Sequence, residues 1–288
     1  VALPGKTLRM DLVDVFTATP YAGNALAVVH GAEELDTRSM QAIARELNLS
    51  ETAFPLPPTQ PGADYRLRAF SPLVELPFAG HPSVGTAWVL ARDGVLGHGT
   101  AVQECGAGLL PVQVDERGAR LTGGTPVLGA DLDAEVLAEA VGLRPAETSV
   151  KAGIAGCGLD FNYFLADPAE LPAATARPEL VLAAVLGRGI VPVAWDPAAR
   201  TATVRMFRGT GGEDPATGSA ALGLGVWLVA RGLLPAEGRS EYLVRQGEWV
   251  GRPSELHCAV TAAGGLAREV TVWGGVVEVG QGSLRVPD

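Results

Sequence analysis

The strongest constraint on how this 288-residue chain can fold is that it repeats itself. Arg68-Ala69-Phe70 opens a segment that runs through Glu75 and Gly80-His81-Pro82-Ser83 to Trp88-Val89-Leu90-Ala91-Arg92. Arg205-Met206-Phe207 opens another, through Glu213-Asp214 and Gly218-Ser219 to Trp227-Leu228-Val229-Ala230-Arg231. The copies are offset by 137 residues at the arginine, 138 at the glycine and 139 at the tryptophan. A near-constant offset close to half the chain predicts two copies of one unit, each a strand, an acidic loop, a glycine and a helix. The turn at Thr122-Gly123-Gly124-Thr125-Pro126 sets the expected boundary. It gives one α+β domain over 1–122 and a second over 123–288, with a return of the last strand to the first domain left open.

The two repeated helices are apolar nearly all round, through Val84, Ala87, Val89 and Leu90 in one and Leu222, Leu224, Val226 and Leu228 in the other. A helix without a polar face is a buried one. The flanking segments alternate as strands do: Tyr65-Leu67-Ala69 against Arg66-Arg68-Phe70, then 109–114 and 118–122 about a turn at Asp115-Glu116-Arg117-Gly118. Val270-Thr271-Val272 reads as a strand ending at Trp273-Gly274-Gly275. The fold class that follows is α+β, two pseudo-symmetric domains, each a strongly bent, barrel-like sheet around a central helix. Amphipathic helices complete it: Met40, Ile43, Ala44 and Leu47 after an Asp36/Thr37 cap, and Val136, Leu137, Ala140 and Val141 after Asp133.

Composition narrows the functional classes. A formal charge of −10 with no run of Lys or Arg argues against a nucleic-acid partner or an anionic membrane surface, both of which need clustered basic residues. No run of about 18 apolar residues is present to span a bilayer, and the N-terminal VALPGKTLRMDLVDVF lacks the basic region followed by an apolar one that marks a leader peptide. Cys105, Cys157 and Cys258 are too few and too scattered for a disulfide framework, which fits the cytoplasm. No metal-ligand spacing, phosphate-binding loop or dinucleotide fingerprint occurs, so no metal and no cofactor is expected.

Each buried helix begins at a glycine-bearing loop, so its open backbone N–H groups and the positive end of its dipole point at whatever lies beyond. That is an anion site made twice, suited to a compact acid with two polar ends. Asp214 precedes Gly218 by four residues and either reaches such a ligand or caps the helix with Glu213. His81 follows Gly80 at the comparable place, as a ligand or as a loop histidine. Ser219 serves as helix cap, substrate contact or both. Glu51 stands where Asn48-Leu49-Ser50-Glu51 enters an apolar run, and partial burial there favours proton exchange.

Four separated motifs, in order along nearly the whole chain, resemble the phenazine-biosynthesis PhzF-like isomerases. They are Asp14-Val15-Phe16 with Gly23-Asn24, Asn48-Leu49-Ser50-Glu51, Glu75-Leu76-Pro77-Phe78-Ala79-Gly80-His81-Pro82, and Glu213-Asp214-Pro215-Ala216-Thr217-Gly218-Ser219-Ala220. Ala25 stands where the family commonly has proline. The resemblance implies a diaminopimelate-epimerase-like fold and a homodimer. It implies isomerisation of trans-2,3-dihydro-3-hydroxyanthranilate, a small carboxylated, amino-bearing substrate, without metal or cofactor. It gives Glu51 the role of single acid/base, with His81, Asp214 and Ser219 holding substrate and assisting proton transfer. Asn24, Gly80, Ser83 and Gly218 become candidate substrate contacts, and Glu213 is structural. Fold relatives that racemise amino acids carry a cysteine in each loop, and these loops have none. The alternatives are an epimerase of an amino-acid derivative, with Asp214 as the second acid/base, and a silent binding module of the same fold.

Overall fold

A computed structural model describes residues 7–209 and 212–287 of the chain. Of the sixteen residues on which the leader-peptide expectation rests, the first six fall outside them. The described chain divides into two compact units, Val1–Leu121 with Trp273–Asp288, and Thr122–Val272.

In the first unit the strands are β1 (Thr7–Val15), β2 (Asn24–Val29), β3 (Glu51–Leu56), β4 (Tyr65–Phe70), β5 (Glu75–Leu76), β6 (Gly99–Cys105), β7 (Gly108–Val114) and β8 (Gly118–Thr122). Helix α1 (Thr37–Leu47) lies between β2 and β3, and α2 (Gly80–Arg92) between β5 and β6. In the second unit β9 (Val127–Leu132), α3 (Ala134–Ala140), β10 (Ala152–Gly156), β11 (Asp160–Leu165), α4 (Pro178–Ala184), β12 (Gly189–Asp196), β13 (Thr201–Val204) and β14 (Phe207–Arg208) precede α5 (Gly218–Ala230). β15 (Gly238–Gln246) and β16 (Ser254–Ala263) follow it, and β17 (Leu266–Arg285) begins in the second unit and belongs to the first from Trp273 on.

The ladders of the first unit form a ring. β1 pairs with β17 and β2, β2 with β3, β3 with β4, β4 with β6, β6 with β7 and β7 with β8, and β8 returns to β17. Inside it α2 packs on β1, β2, β3 and β7. In the second unit the ladder runs β9-β10-β11-β12-β13-β15-β16, with α5 packed on β9, β10, β11 and β16. The duplication is visible in the topology. Each unit has two parallel steps, each bridged by a helix: β2 to β3 over α1 and β4 to β6 over α2 in one, β11 to β12 over α4 and β13 to β15 over α5 in the other. The fold class is therefore the expected one, a bent, barrel-like sheet about a central helix, twice.

Local chemistry accounts for the edges of these elements. Asp36 caps α1, accepting from Ser39 N at 2.7 Å, and Asn48 ends it in the left-handed region at φ 50°. Met40, Ile43 and Ala44 then cover the outer face of the sheet at Phe54 and Phe70, whose rings meet edge to face at 5.5 Å. Asp133 caps α3, which packs Leu137 and Ala138 on Phe164 and Ile190 and leaves Val136 exposed, against the sequence expectation. The 115–118 hairpin turn forms, with Asp115 Oδ1 accepting from Arg117 N and Gly118 N.

One strand end is corrected. Trp273-Gly274-Gly275 does not stop the last strand, which runs unbroken for 20 residues to Arg285. The glycines are needed for close approach instead: a Cβ on Gly274 would stand 2.1 Å from Phe16 Cδ1.

Candidate active site

The repeated Arg-x-Phe sequence builds the same device in each unit. Arg68 donates to both Glu75 oxygens at 2.7 Å while Phe70 pairs with Glu75 in the sheet, and its guanidinium lies 5.1 Å from the Phe70 ring. Arg205 likewise grips Glu213, with Phe207 bridged to Glu213 and 5.0 Å from the guanidinium. A bidentate guanidinium fixes direction as well as distance, so each acidic loop is anchored just before the glycine that opens the central helix. Glu213 is thus held as an anchor by Arg205.

In the first unit the end of α1 at Asn48 lets Ser50 lead directly into β3, and Glu51 is its first residue. Side chains alternate along a strand, so Phe54 and Thr52 face α1 while Glu51 and Ala53 face the other way. The Glu51 carboxylate comes within 3.3 Å of His81 Nδ1. Its side chain keeps 17% exposure against 4% for His81, so the carboxylate is partly exposed while the imidazole is enclosed. His81 is the second residue of α2, after Gly80, and the cap residue Ala79 has no side chain able to bond the helix amides. Asn24 opens β2 and is buried, after a Gly23 at φ +65° whose Cβ would stand 2.3 Å from Val15 O.

Ser83 is fully buried. Its hydroxyl donates to Ala79 O at 2.8 Å and accepts from Gln103 Nε2 at 2.9 Å, and Gln103 Oε1 accepts from Tyr65 Oη at 3.0 Å. The hydroxyl is engaged by the chain itself, and this line of donors ends on the carbonyl preceding Gly80.

In the second unit Asp214 is 4% exposed, with Oδ1 accepting from Arg208 and Oδ2 from the Thr217 hydroxyl. The cap position of α5 belongs to Thr217, whose side chain makes no capping bond, so Ser219 is the second helical residue and not the cap. Gly218 and Ser219 therefore stand at a helix N-terminus without a side-chain cap, as Gly80 and His81 do. Two of the cysteines lie in strands, Cys105 at the end of β6 and Cys258 in β16, and Cys157 follows β10. Burial pushes the Cys157 thiol up to about 12, far from a usable thiolate.

Several polar residues escaped sequence reasoning. Thr217 stands inside the fourth motif without a role assigned to it, while Arg208 and Gln246 around Asp214, and Tyr65 and Gln103 behind Ser83, belong to no motif. The available signal was alternation: Ser240, Tyr242, Val244 and Gln246 form the inward face of β15, and a glutamine on such a face calls for partners. Asp11, His30 and Asp93, distant in sequence, also bring potential metal-ligand atoms together. Arg92 Nη2 donates to Asp11 Oδ1 at 2.9 Å and Arg9 Nη2 to Asp11 Oδ2 at 3.0 Å, and both arginines also bond Asp93. The guanidinium groups supply the positive charge there.

Residues 13–282 match the phenazine biosynthesis-like protein family, PhzC-PhzF. An uncharacterized isomerase of Mesorhizobium japonicum is 36% identical over 97% of this chain and 99% of its own length. The trans-2,3-dihydro-3-hydroxyanthranilate isomerase of Pseudomonas aeruginosa is 30% identical over 92% of this chain and 95% of its own. The crystal structure of a PhzF-family phenazine biosynthesis protein of Bacillus anthracis, at 24% identity, superposes with a TM-score of 0.86 over 97% of this chain and 99% of that one. With the duplicated fold and the Glu51, His81, Asp214 and Ser219 motifs in place, the chain belongs to the phenazine biosynthesis-like family and is an isomerase.

Proposed function

We propose that this isomerase moves a proton on a small carboxylated, amino-bearing substrate without a cofactor, using Glu51 as its single acid/base, and that the substrate is trans-2,3-dihydro-3-hydroxyanthranilate. The observation that carries the reading is the Glu51 carboxylate, partly open and 3.3 Å from an enclosed His81 at an uncapped helix N-terminus. Glu51 takes a proton from ring C3, exchanges with solvent and returns a proton at C1, and the enol so formed becomes a ketone. One carboxylate suffices when both positions lie within its reach. His81 restrains Glu51, and the backbone amides near Gly80 offer donors to a carboxylate; in the second unit Asp214 and Ser219 are the residues that the family resemblance gives to substrate holding, with the amides near Gly218. The name of the Pseudomonas aeruginosa relative supports the choice of substrate.

Turnover of this dihydro-anthranilate in heavy water, followed by NMR, tests the reading: deuterium is expected at C1, delivered by a Glu51 carboxyl that has exchanged with solvent, and on the carbon beside the new ketone, which is protonated from solvent as the enol collapses. Glu51→Gln should lower kcat by about 10²-fold or more while substrate binding survives, because the amide keeps the size but cannot carry a proton. Asp214→Asn and His81→Ala should weaken binding and rate together. Retention of kcat within about threefold in Glu51→Gln, with loss in Asp214→Asn, would move the acid/base to the second unit. Deuterium appearing in both hands of an amino-acid derivative would favour the epimerase instead.

A further inference from the structure

The Asp214–Thr217 segment is gripped by one buried amide. Gln246, the last residue of β15 and 3% exposed, donates from Nε2 to Asp214 O at 2.7 Å and to Thr217 Oγ1 at 2.9 Å. Its Oε1 accepts from Thr217 N at 3.1 Å. The orientation of the amide is dictated by the backbone: a flipped amide would set N–H against N–H at Thr217 and oxygen against oxygen at Asp214. Gln246 Nε2 therefore faces the Thr217 hydroxyl as a donor, and an amide nitrogen accepts nothing. A hydroxyl has one proton to give. With Gln246 on a lone pair, that proton goes to Asp214 Oδ2, the bond observed.

We propose that Gln246 is a positioning residue: by donating to Thr217 it commits the Thr217 hydroxyl to Asp214 and so holds the Asp214 carboxylate in one orientation. The inference rests on the assignment of Asp214 to substrate holding made above. Asp214 then has its two oxygens directed by two different elements, Oδ1 by Arg208 of β14 and Oδ2 through Thr217 by β15. Neighbouring bonds fix the backbone of the same segment. Ser254 Oγ shares its one proton between Pro215 O at 3.1 Å and Arg252 O at 3.0 Å, and Arg205 anchors Glu213. The arrangement also bears on the cap of α5: a capping hydroxyl accepts from the helix amides through its oxygen, and the Thr217 oxygen accepts from Gln246 Nε2 instead.

The two substitutions that separate positioning from packing are Gln246→Glu and Gln246→Met. An ionised carboxylate at this position accepts only, so it draws the Thr217 proton away from Asp214 and lays negative charge against Asp214 O. Protonated, it can donate again. The first measurement does not depend on turnover. In uniformly labelled protein the Thr217 hydroxyl proton should give a slowly exchanging NMR signal correlated with the Asp214 carboxyl carbon. That correlation should be lost in Gln246→Met, and in Gln246→Glu at alkaline pH. Its persistence in both variants would overturn the proposal. The second measurement is kcat/KM on trans-2,3-dihydro-3-hydroxyanthranilate against pH. Gln246→Glu should recover at least tenfold towards acid relative to the parent profile, while Gln246→Met stays low with no added limb. Rates within twofold of the parent in both variants would equally overturn it. If Gln246→Glu does not fold, Gln246→Met carries both measurements. A parent protein that leaves this substrate untouched, with the NMR correlation present and Gln246-dependent, would sink the proposed reaction and leave the positioning intact.

Discussion

At the scale of single residues the two arginine anchors share a design and differ in depth. The Arg205 and Glu213 side chains are each 8% exposed, and Arg205 also donates to the carbonyls of Leu171, Pro172 and Ala174. Arg68 and Glu75 are 15% and 37% exposed. Removing one partner of a buried pair strands the other charge out of water, whereas a solvated partner is rescued by it. Arg205→Met should therefore cost about 3–5 kcal/mol in urea unfolding, and Arg68→Met clearly less. Arg205→Lys should recover little, because an ammonium cannot reproduce the planar fork. Equal losses at both sites would show that burial is not what distinguishes them. The repeated Arg, Phe and acidic residues were legible in the sequence as a repeat. Their mutual contacts were not, since the offset reports equivalence between copies and says nothing of what touches what within one.

At the scale of elements, the central helices depend on glycines that face the sheet. A Cβ on Gly85 of α2 would stand 2.6 Å from Leu26 Cδ2, and one on Gly223 of α5 would stand 2.5 Å from Tyr163 Oη and 3.0 Å from Ala155 O. These glycines are again 138 residues apart. Tyr163 cannot retreat freely: its hydroxyl donates to Ala220 O at 2.8 Å and its ring stacks on Trp227 at 5.9 Å. Alanine would ordinarily favour a helix over glycine by about 1 kcal/mol. Here overpacking of about 1–3 kcal/mol outweighs that, so Gly223→Ala should lower the urea midpoint. Gly97→Ala, with nothing within 4 Å of its Cβ, should leave it unchanged. Apolar residues all round both helices announced their burial. The exposed Val136 and the uninterrupted last strand did not follow the local pattern, because the packing surface and the close approach of Phe16 lie far away in sequence.

For the molecule as a whole, acid should be the sensitive direction. Asp11 of β1, fully buried, is joined to His30 after β2 at 2.7 Å and to Arg92 at the end of α2, which also bonds Glu278 of the last strand. Burial, and then the charge of Arg9, push the His30 imidazole below its ordinary range against the pull of Asp11. The unfolded chain therefore binds a proton before the folded one does. Stability contributed by neutral His30 is complete above the unfolded value near 6.5 and is lost as pH falls from there towards the lower folded value. Urea midpoints of the parent should drop between about pH 7 and pH 5, and His30→Gln should flatten that part of the curve. A variant as steep as the parent would assign the acid sensitivity to other groups.

The sequence by itself determined the duplication, the α+β class, the two buried helices with their glycine starts, and the motifs that mark the family. Each of these is written in local periodicity or in an offset, and the energetics of burial and capping act on them wherever the chain goes. The tertiary structure alone decided that Glu51 meets His81, that Ser83 serves Ala79 and Gln103, that Gln246 holds Thr217 and Asp214, and that residues 273–288 group with the first unit. The Ser83–Ala79 bond is local to α2, but the others join different elements, and they exist only once helix and sheet have been brought together and register has set which side chains share a face.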